Sequence, residues 1–156
     1  YYYVTRPIQE LARTKLKNDS LCAFCSRMRR GALYGTAREH GYNVLALGQH
    51  LDDAAESFLM SAFHEGKLNT MKASYVNNDR DLKIIRPLIL VRERQLREFV
   101  LSMDFPLILD KCVGEQQQTQ RDHFKELLAQ HEANNPMLFK SLQKALLPLL
   151  KNNNSE

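Results

Sequence analysis

The sequence predicts an α/β fold built on a parallel sheet, and three observations carry that expectation. Asn43 to Leu47 (NVLAL) is a short continuous apolar run, as expected of a buried parallel strand, and it ends at Gly48. Stretches of helical periodicity stand on either side of it. Farther on, Ala73–Asn77 and Leu82–Ile85 flank the polar turn 78–81, which reads as a β-hairpin. With 156 residues the chain has the length of one domain with one sizeable core.

At the start of the chain, Tyr1–Thr5 is aromatic and β-branched and predicts a strand. A chain that opens inside a strand, and not on Met, is expected to have further residues upstream. Residues 7–21 are polar and predict a short helix with a loop. From Ala23 to His40, Phe24, Met28, Ala32 or Leu33, and Ala37 recur at helical spacing. His40 in the last turn and Gly41 after it form a stop signal. Residues 52–63 predict a helix, with Ala55, Phe58, Leu59 and Ala62 on one face. Residues 66–70 read as a loop, and Pro87 closes the hairpin. Glu93–Met103 is helical, Phe105–Leu109 predicts a last strand, and Gln116–His131 another helix. Pro136 is expected to open the final helix at its first turn, with Leu138, Leu142, Ala145, Leu146 and Leu149 inward. The tail 152–156 should be disordered.

Composition excludes several classes. Hydrophobic residues at 44% and charged residues at 26% are ordinary for a globular protein, which argues against a disordered or collagenous chain. No apolar run reaches the roughly 18–20 residues of a membrane span, and there is no signal-peptide pattern. The net charge of +4 permits a polyanionic partner without demanding one. Arg27, Arg29 and Arg30 cluster with no acid nearby. Arg86, Arg92, Arg94 and Arg97 are interleaved with Glu93 and Glu98 and read as solvated surface.

Two stretches could carry chemistry. Cys22-Ala-Phe-Cys25 places two thiols three positions apart at a helix start. Such a pair suits a thioredoxin-like redox centre, half of a zinc site, part of an iron–sulfur site, or simply two small buried residues. Three cysteines cannot form a fully paired disulfide framework, which favours metal or redox use. Cys112 follows the expected last strand and could converge on the pair. His40, His64, His123 and His131 offer a fourth ligand, without spacing that selects one. The second stretch is Gly48-Gln-His50-Leu-Asp52-Asp53, after a buried strand and opening a helix. Ligands of open α/β sheets bind outside the carboxyl ends of strands. Gly48 lets a ligand approach the backbone. One of Asp52 and Asp53 can cap the helix. Together with Glu56, the carboxylates could instead hold Mg2+ near nucleotide phosphates. The chain contains no G-x-x-x-x-G-K-[ST], no G-x-G-x-x-G and no G-x-S-x-G.

The two stretches, in this order, resemble the PP-loop ATPases that modify tRNA. CAFCSRMRRGALYGTAREHG, then LALGQHLDDAAESFLM, HEGKLNTM and IIRPL are similar to the tRNA 2-thiocytidine synthetase (TtcA) family. The run C-x-x-C-S-R-x-R-R-G-x-L-Y is specific to it; G-x-H-x-D-D is shared more widely, including with tRNA-isoleucine lysidine synthetases. Residues 120–150 resemble one branch of the family. The resemblance implies a partial adenine-nucleotide α-hydrolase-like sheet, related to the Rossmann fold, with helices on both sides, a small hairpin and a C-terminal helical appendage. Residues 1–114 would be the C-terminal half of the PP-loop ATPase domain and 115–151 the appendage. The family's S-G-G-x-D-S loop does not occur here and is expected upstream, so this stretch alone should be inactive.

The resemblance also implies an activity. ATP adenylates the C2 oxygen of an anticodon-loop cytidine in tRNA, and sulfur replaces the adenylate. It implies a 4Fe-4S cluster held by three cysteines: Cys22, Cys25 and, in this chain, Cys112. Asp53 and Arg29 stand at catalytic positions, Gly48, His50 and Asp52 at the nucleotide-side turn, and Arg27 and Arg30 are expected to contact tRNA. ATP with Mg2+, a sulfur donor such as a cysteine desulfurase, a cytoplasmic location and a homodimer complete the expectation, with no membrane partner. Two competing readings are a zinc-stabilised RNA-binding module without catalysis, and another PP-loop enzyme that needs no cluster.

Overall fold

The computed structural model describes residues 1–15, 21–105 and 119–151. Helix α1 (Ile8–Lys15) packs against α2 (Leu21–Glu39), burying Ala12. Gly41, at φ 70, ends α2 in a left-handed turn, with the Tyr42 amide donating to the Ala37 carbonyl. Strand β1 (Val44–Ala46) leads through the turn 47–50 into α3 (Leu51–Met60), which runs on as a π-helical turn, Ser61–Glu65. The hairpin of β2 (Ser74–Val76) and β3 (Lys83–Ile85) comes next, then α4 (Glu93–Ser102), α5 (Gln120–Asn134) and α6 (Leu138–Leu150).

The sheet order is β1-β3-β2, with β1 parallel to β3 and β2 antiparallel to it. The α/β class and the hairpin are as the sequence predicts, but the described sheet is mixed, because a tight hairpin can join only antiparallel neighbours. Leu45, Ile84 and Tyr75 stand opposite one another in register and so share a face. Tyr34 and Ala37 of α2 pack onto that face around Leu82 and Ile84, which are essentially inaccessible. On the opposite face the row Val44, Lys83, Val76 is exposed, so β1 is less buried than a continuous apolar run implies. Its one described ladder partner is β3.

The larger core lies off the sheet. Leu51, Ala54, Ala55, Phe58 and Leu59 form an i, i+3, i+4, i+7, i+8 stripe on α3. That stripe meets Leu128 of α5 and Phe139, Leu146 and Leu150 of α6, all buried. The carboxyl end of α6 is tied back to the hairpin: the Ala73 amide donates to the Leu150 carbonyl and Lys72 Nζ to that of Leu149.

Three expectations change. Residues 1–5 form no strand and are exposed, because a strand needs a neighbour to take its hydrogen bonds and none is present among the described residues. Tyr2 instead stacks on His40, ring centroids 3.6 Å apart. Pro136 sits in the turn before α6, with the Leu138 amide bonded back to Asn135, so the helix begins two residues later than predicted. Phe105 is not in a strand. The rest of the strand expected over 105–109, the start of the helix expected at 116, the boundary at 114/115 and the tail 152–156 lie outside the described residues. None of the described helices is long and apolar enough to cross a membrane.

Candidate functional site

The amino end of α2 carries the thiols. Cys22 and Cys25 are both free, the first exposed and the second half-buried. They line a cleft of about 440 Å³ together with Ser26, Arg29 and Leu33. Positions 22, 25, 26, 29 and 33 are one helical stripe, so periodicity alone places Arg29 on the cysteine side. Arg30 lines the same cleft, whereas Arg27 is not among its described lining. The structure therefore groups Arg29 with Arg30, whereas the sequence pairs Arg27 with Arg30 as expected tRNA contacts.

The cleft's far wall is built by the carboxyl end of β1 and the turn after it, through Leu45, Leu47 and Gln49, with Tyr75, Arg86 and Arg121. Arg86 comes directly after β3. Its Nε donates to Gln49 Oε1 at 3.1 Å, its Nη1 to the Lys72 carbonyl, and its guanidinium lies over the Tyr75 ring. Composition had assigned Arg86 to solvated surface; its place immediately after a strand was the signal that it faces a ligand crevice. Four arginines line the cleft, and no carboxylate does among the described residues. Such a cleft, beside a helix N-terminus, favours an anion.

The turn after β1 is built differently. His50 is the N-cap of α3, and Asp53 completes a capping box. The His50 amide donates to Asp53 Oδ2 at 2.9 Å and the Asp53 amide donates to His50 Nδ1 at 3.4 Å. Asp52 accepts from Arg92 Nε at 3.1 Å and from the Glu93 amide at 2.7 Å, which pins α4 to α3. Arg92 also grips Glu132 of α5 with both Nη groups, at 2.7 and 2.8 Å, and lies 3.2 Å from the centroid of the Phe139 ring. Gly48 is exposed, and a Cβ there would meet nothing within 4 Å, so neither packing nor backbone conformation requires glycine. Leu47 and Gln49, not Gly48, His50, Asp52 or Asp53, are the residues of this stretch that line the thiol cleft.

Glu56, one turn along α3, is only 4% exposed. Burial pushes its carboxyl up to about 7, against the pull of Arg121, whose Nε lies 3.1 Å away; Asp53 and Asp52 add to the upward push. The sequence showed Glu56 as a third acid but gave no sign that its partner would come from α5.

Two free thiols on one helix face in a cationic cleft fit the soft-donor chemistry of an iron–sulfur cluster for two of its ligands. Cys112 lies outside the described residues. Among the described residues no group of three His, Cys, Asp or Glu side chains is placed to hold a metal ion. The carboxylates do not form a Mg2+ cradle as they stand: Asp52 is engaged by Arg92, Glu56 by Arg121, and Asp53 by the cap.

Comparison with known proteins gives three findings. A tRNA-cytidine(32) 2-sulfurtransferase of Dinoroseobacter shibae is 44% identical over 125 residues, covering 78% of this chain and 44% of that protein. Those of Cereibacter sphaeroides and Rhizobium etli are 42% and 43% identical, over 80% and 74% of this chain and 44% and 40% of their own lengths. The chain thus spans less than half the length of the curated relatives it matches. Among solved structures, the U34-tRNA thiolase NcsA from Methanococcus maripaludis with its 4Fe-4S cluster shares the fold. The TM-score is 0.70 at 22% identity, covering 91% of this chain and 47% of that one. Residues 4–132 match the model of the PP-loop domain, and the chain belongs to that family.

Proposed function

We propose that this chain is the thiol-bearing part of an ATP-dependent tRNA-cytidine 2-sulfurtransferase. The observation that carries the reading is the cleft itself. It holds two free cysteines and four arginines at the carboxyl end of a parallel strand, in a chain similar to such sulfurtransferases over most of its length. The reaction needs an anionic cosubstrate, a polyanionic RNA and a sulfur carrier close together. The C2 oxygen of cytidine attacks the α-phosphorus of ATP and pyrophosphate leaves. Sulfur then adds at C2, and the oxygen departs with AMP.

Cys22 and Cys25, with Cys112 as a third thiolate, would hold a 4Fe-4S cluster, which supplies the site that presents sulfur. Arg29 stabilises negative charge on the adenylate, and Arg30 and Arg27 take RNA phosphates. Asp53 is the carboxylate of the α3 turn not engaged by an arginine, and it acts on the ATP side. Gly48 leaves room for the nucleotide, while His50 and Asp52 shape its turn. The sulfur donor is a persulfide- or sulfide-generating enzyme, and the compartment is the one that houses tRNA.

The test uses the protein in its full reading frame, purified without oxygen. Cys22→Ser and Cys25→Ser should each lose bound iron and all 2-thiocytidine formation, read by mass spectrometry of digested tRNA, with the melting temperature of the metal-free forms unchanged. Stoichiometric zinc in place of iron, or undiminished thiolation in either variant, would refute the reading.

A further inference from the structure

A second cleft, of about 790 Å³, lies on the other side of the amino end of α2. Among its described lining, only Cys22 and Arg121 are shared with the first. The two clefts differ in chemistry. The first presents four guanidinium groups. The second presents the thioethers of Met60 and Met71 and the uncharged polar groups of Ser57 and Asn69, with Glu65 the one carboxylate among its described residues. A cationic cleft selects phosphates, whereas thioethers and neutral hydrogen-bonding groups suit a flat, uncharged heterocycle.

Two further features mark this wall. The cleft wall includes the start of the π-helical turn, a local distortion found frequently at functional sites. Within that turn, Ser61 Oγ is buried and finds no hydrogen-bond partner among the described residues, a situation that itself calls for an explanation. The volume also falls in the range of small-molecule sites.

We propose, building on the sulfurtransferase reading, that this second cleft receives the target pyrimidine base while Arg121 takes the phosphate beside it. Arg121 is suited to that task by how it is held. Its Nε lies 3.1 Å from Glu56 Oε2, a nearly inaccessible oxygen, so the guanidinium is fixed from behind on the boundary of both clefts. The ion pair engages Nε while the side chain stays half exposed, so the guanidinium can also meet a phosphate. The arrangement gives the RNA base and the nucleotide cosubstrate separate approaches to the position of Cys22, which lines both clefts. A nucleobase must leave its stack to be read by such a pocket, and Met60 and Met71 provide the apolar surface that replaces the lost stacking.

The test measures binding of cytidine 5′-monophosphate (CMP) and adenosine 5′-monophosphate (AMP) by equilibrium dialysis to the metal-loaded protein in its full reading frame. Asn69→Asp adds a charge at an exposed position of the second cleft and should weaken CMP about tenfold while leaving AMP within twofold. Arg121→Lys should weaken CMP by a similar factor. Gln49→Ala, in the first cleft, should weaken AMP and leave CMP within twofold. Absence of CMP binding by the wild-type protein would overturn the proposal. So would CMP affinity unmoved by Asn69→Asp, or an AMP affinity that depends on Asn69. Thiolation assayed in parallel separates the two ideas. A wild-type protein that thiolates tRNA but binds CMP independently of Asn69 and Arg121 sinks this inference alone. CMP binding that keeps the expected pattern in a protein without thiolation sinks the sulfurtransferase reading instead.

Discussion

The amino ends of α2 and α3 treat charge in opposite ways. On α3, Asp52, Asp53 and Glu56 are each engaged: by Arg92 and the Glu93 amide, by the His50 cap, and by Arg121. On α2, Arg29 and Arg30 line an open cleft beside two free thiols, and no carboxylate pairs with either among the described residues. Satisfied charges fix geometry, and unsatisfied ones keep their potential for a ligand. Sequence motifs mark both regions with equal emphasis. The structure separates a region of paired charges from one whose arginines line an open cleft.

The largest effect expected among the paired charges belongs to Arg92. Its guanidinium holds two half-buried carboxylates and covers the Phe139 ring, tying α3, α4, α5 and α6 at one point. Arg92→Ala leaves Asp52 and Glu132 without their counter-charge, which for buried pairs costs about 3–5 kcal/mol. Urea denaturation should show a loss near the lower end of that range, since Glu132 keeps some solvent and Arg94 3.7 Å away. A change below about 1 kcal/mol would mean the network is no more than surface decoration.

That network shows where sequence reasoning stopped. The elements around the site were legible, because Leu51 to Leu59 repeats at helical spacing and 73–85 alternates around a polar turn. Cys22 and Cys25 were legible as a pair, and helical geometry alone suffices to put Arg29 on their side. The partners of Asp52 and Glu56 were not, because Arg92 and Arg121 come from distant stretches of the chain and nothing local requires them to meet. Tyr1–Thr5 failed in the same way: β propensity reports fitness for a sheet, not the presence of a neighbour to pair with.

Glu56 gives a smaller effect with a distinct signature. Its folded carboxyl titrates near 7, above the usual 4.5, chiefly because it is buried. The folded state therefore binds this proton more tightly than the unfolded state does. Stability is highest at and below about pH 4.5 for this group, falls as pH rises toward 7, and is level beyond. The span of that loss is of the order of 3 kcal/mol at most. Glu56→Gln should flatten the dependence between pH 4.5 and 7, as followed by urea denaturation at intervals of half a pH unit. A slope in the variant equal to that of the wild type would assign the titration to another group and weaken the case that Glu56 is held in low dielectric behind Arg121.

The smallest effect sharpens the comparison most, because it sets an arginine of the cleft against one fixed elsewhere on the same helix. Arg30 lines the cleft, while Arg38, two turns on, is clamped by Asp79 at 2.5 Å and Asp81 at 2.6 Å in the hairpin turn. Each cation that meets an RNA phosphate releases counterions and adds about 0.7 to the slope of log K against log salt for a single-stranded region. Replacing Arg30 by Ala should lower that slope by roughly 0.7, whereas Arg38→Ala should leave it unchanged, since a guanidinium already neutralised by two carboxylates displaces no counterion from RNA. Filter binding of tRNA at four or more salt concentrations reads both variants. Equal slopes for Arg30→Ala and wild type would remove Arg30 from the RNA contact. A lowered slope in Arg38→Ala would show that RNA competes the hairpin acids away, so that the two regions differ in degree and not in kind.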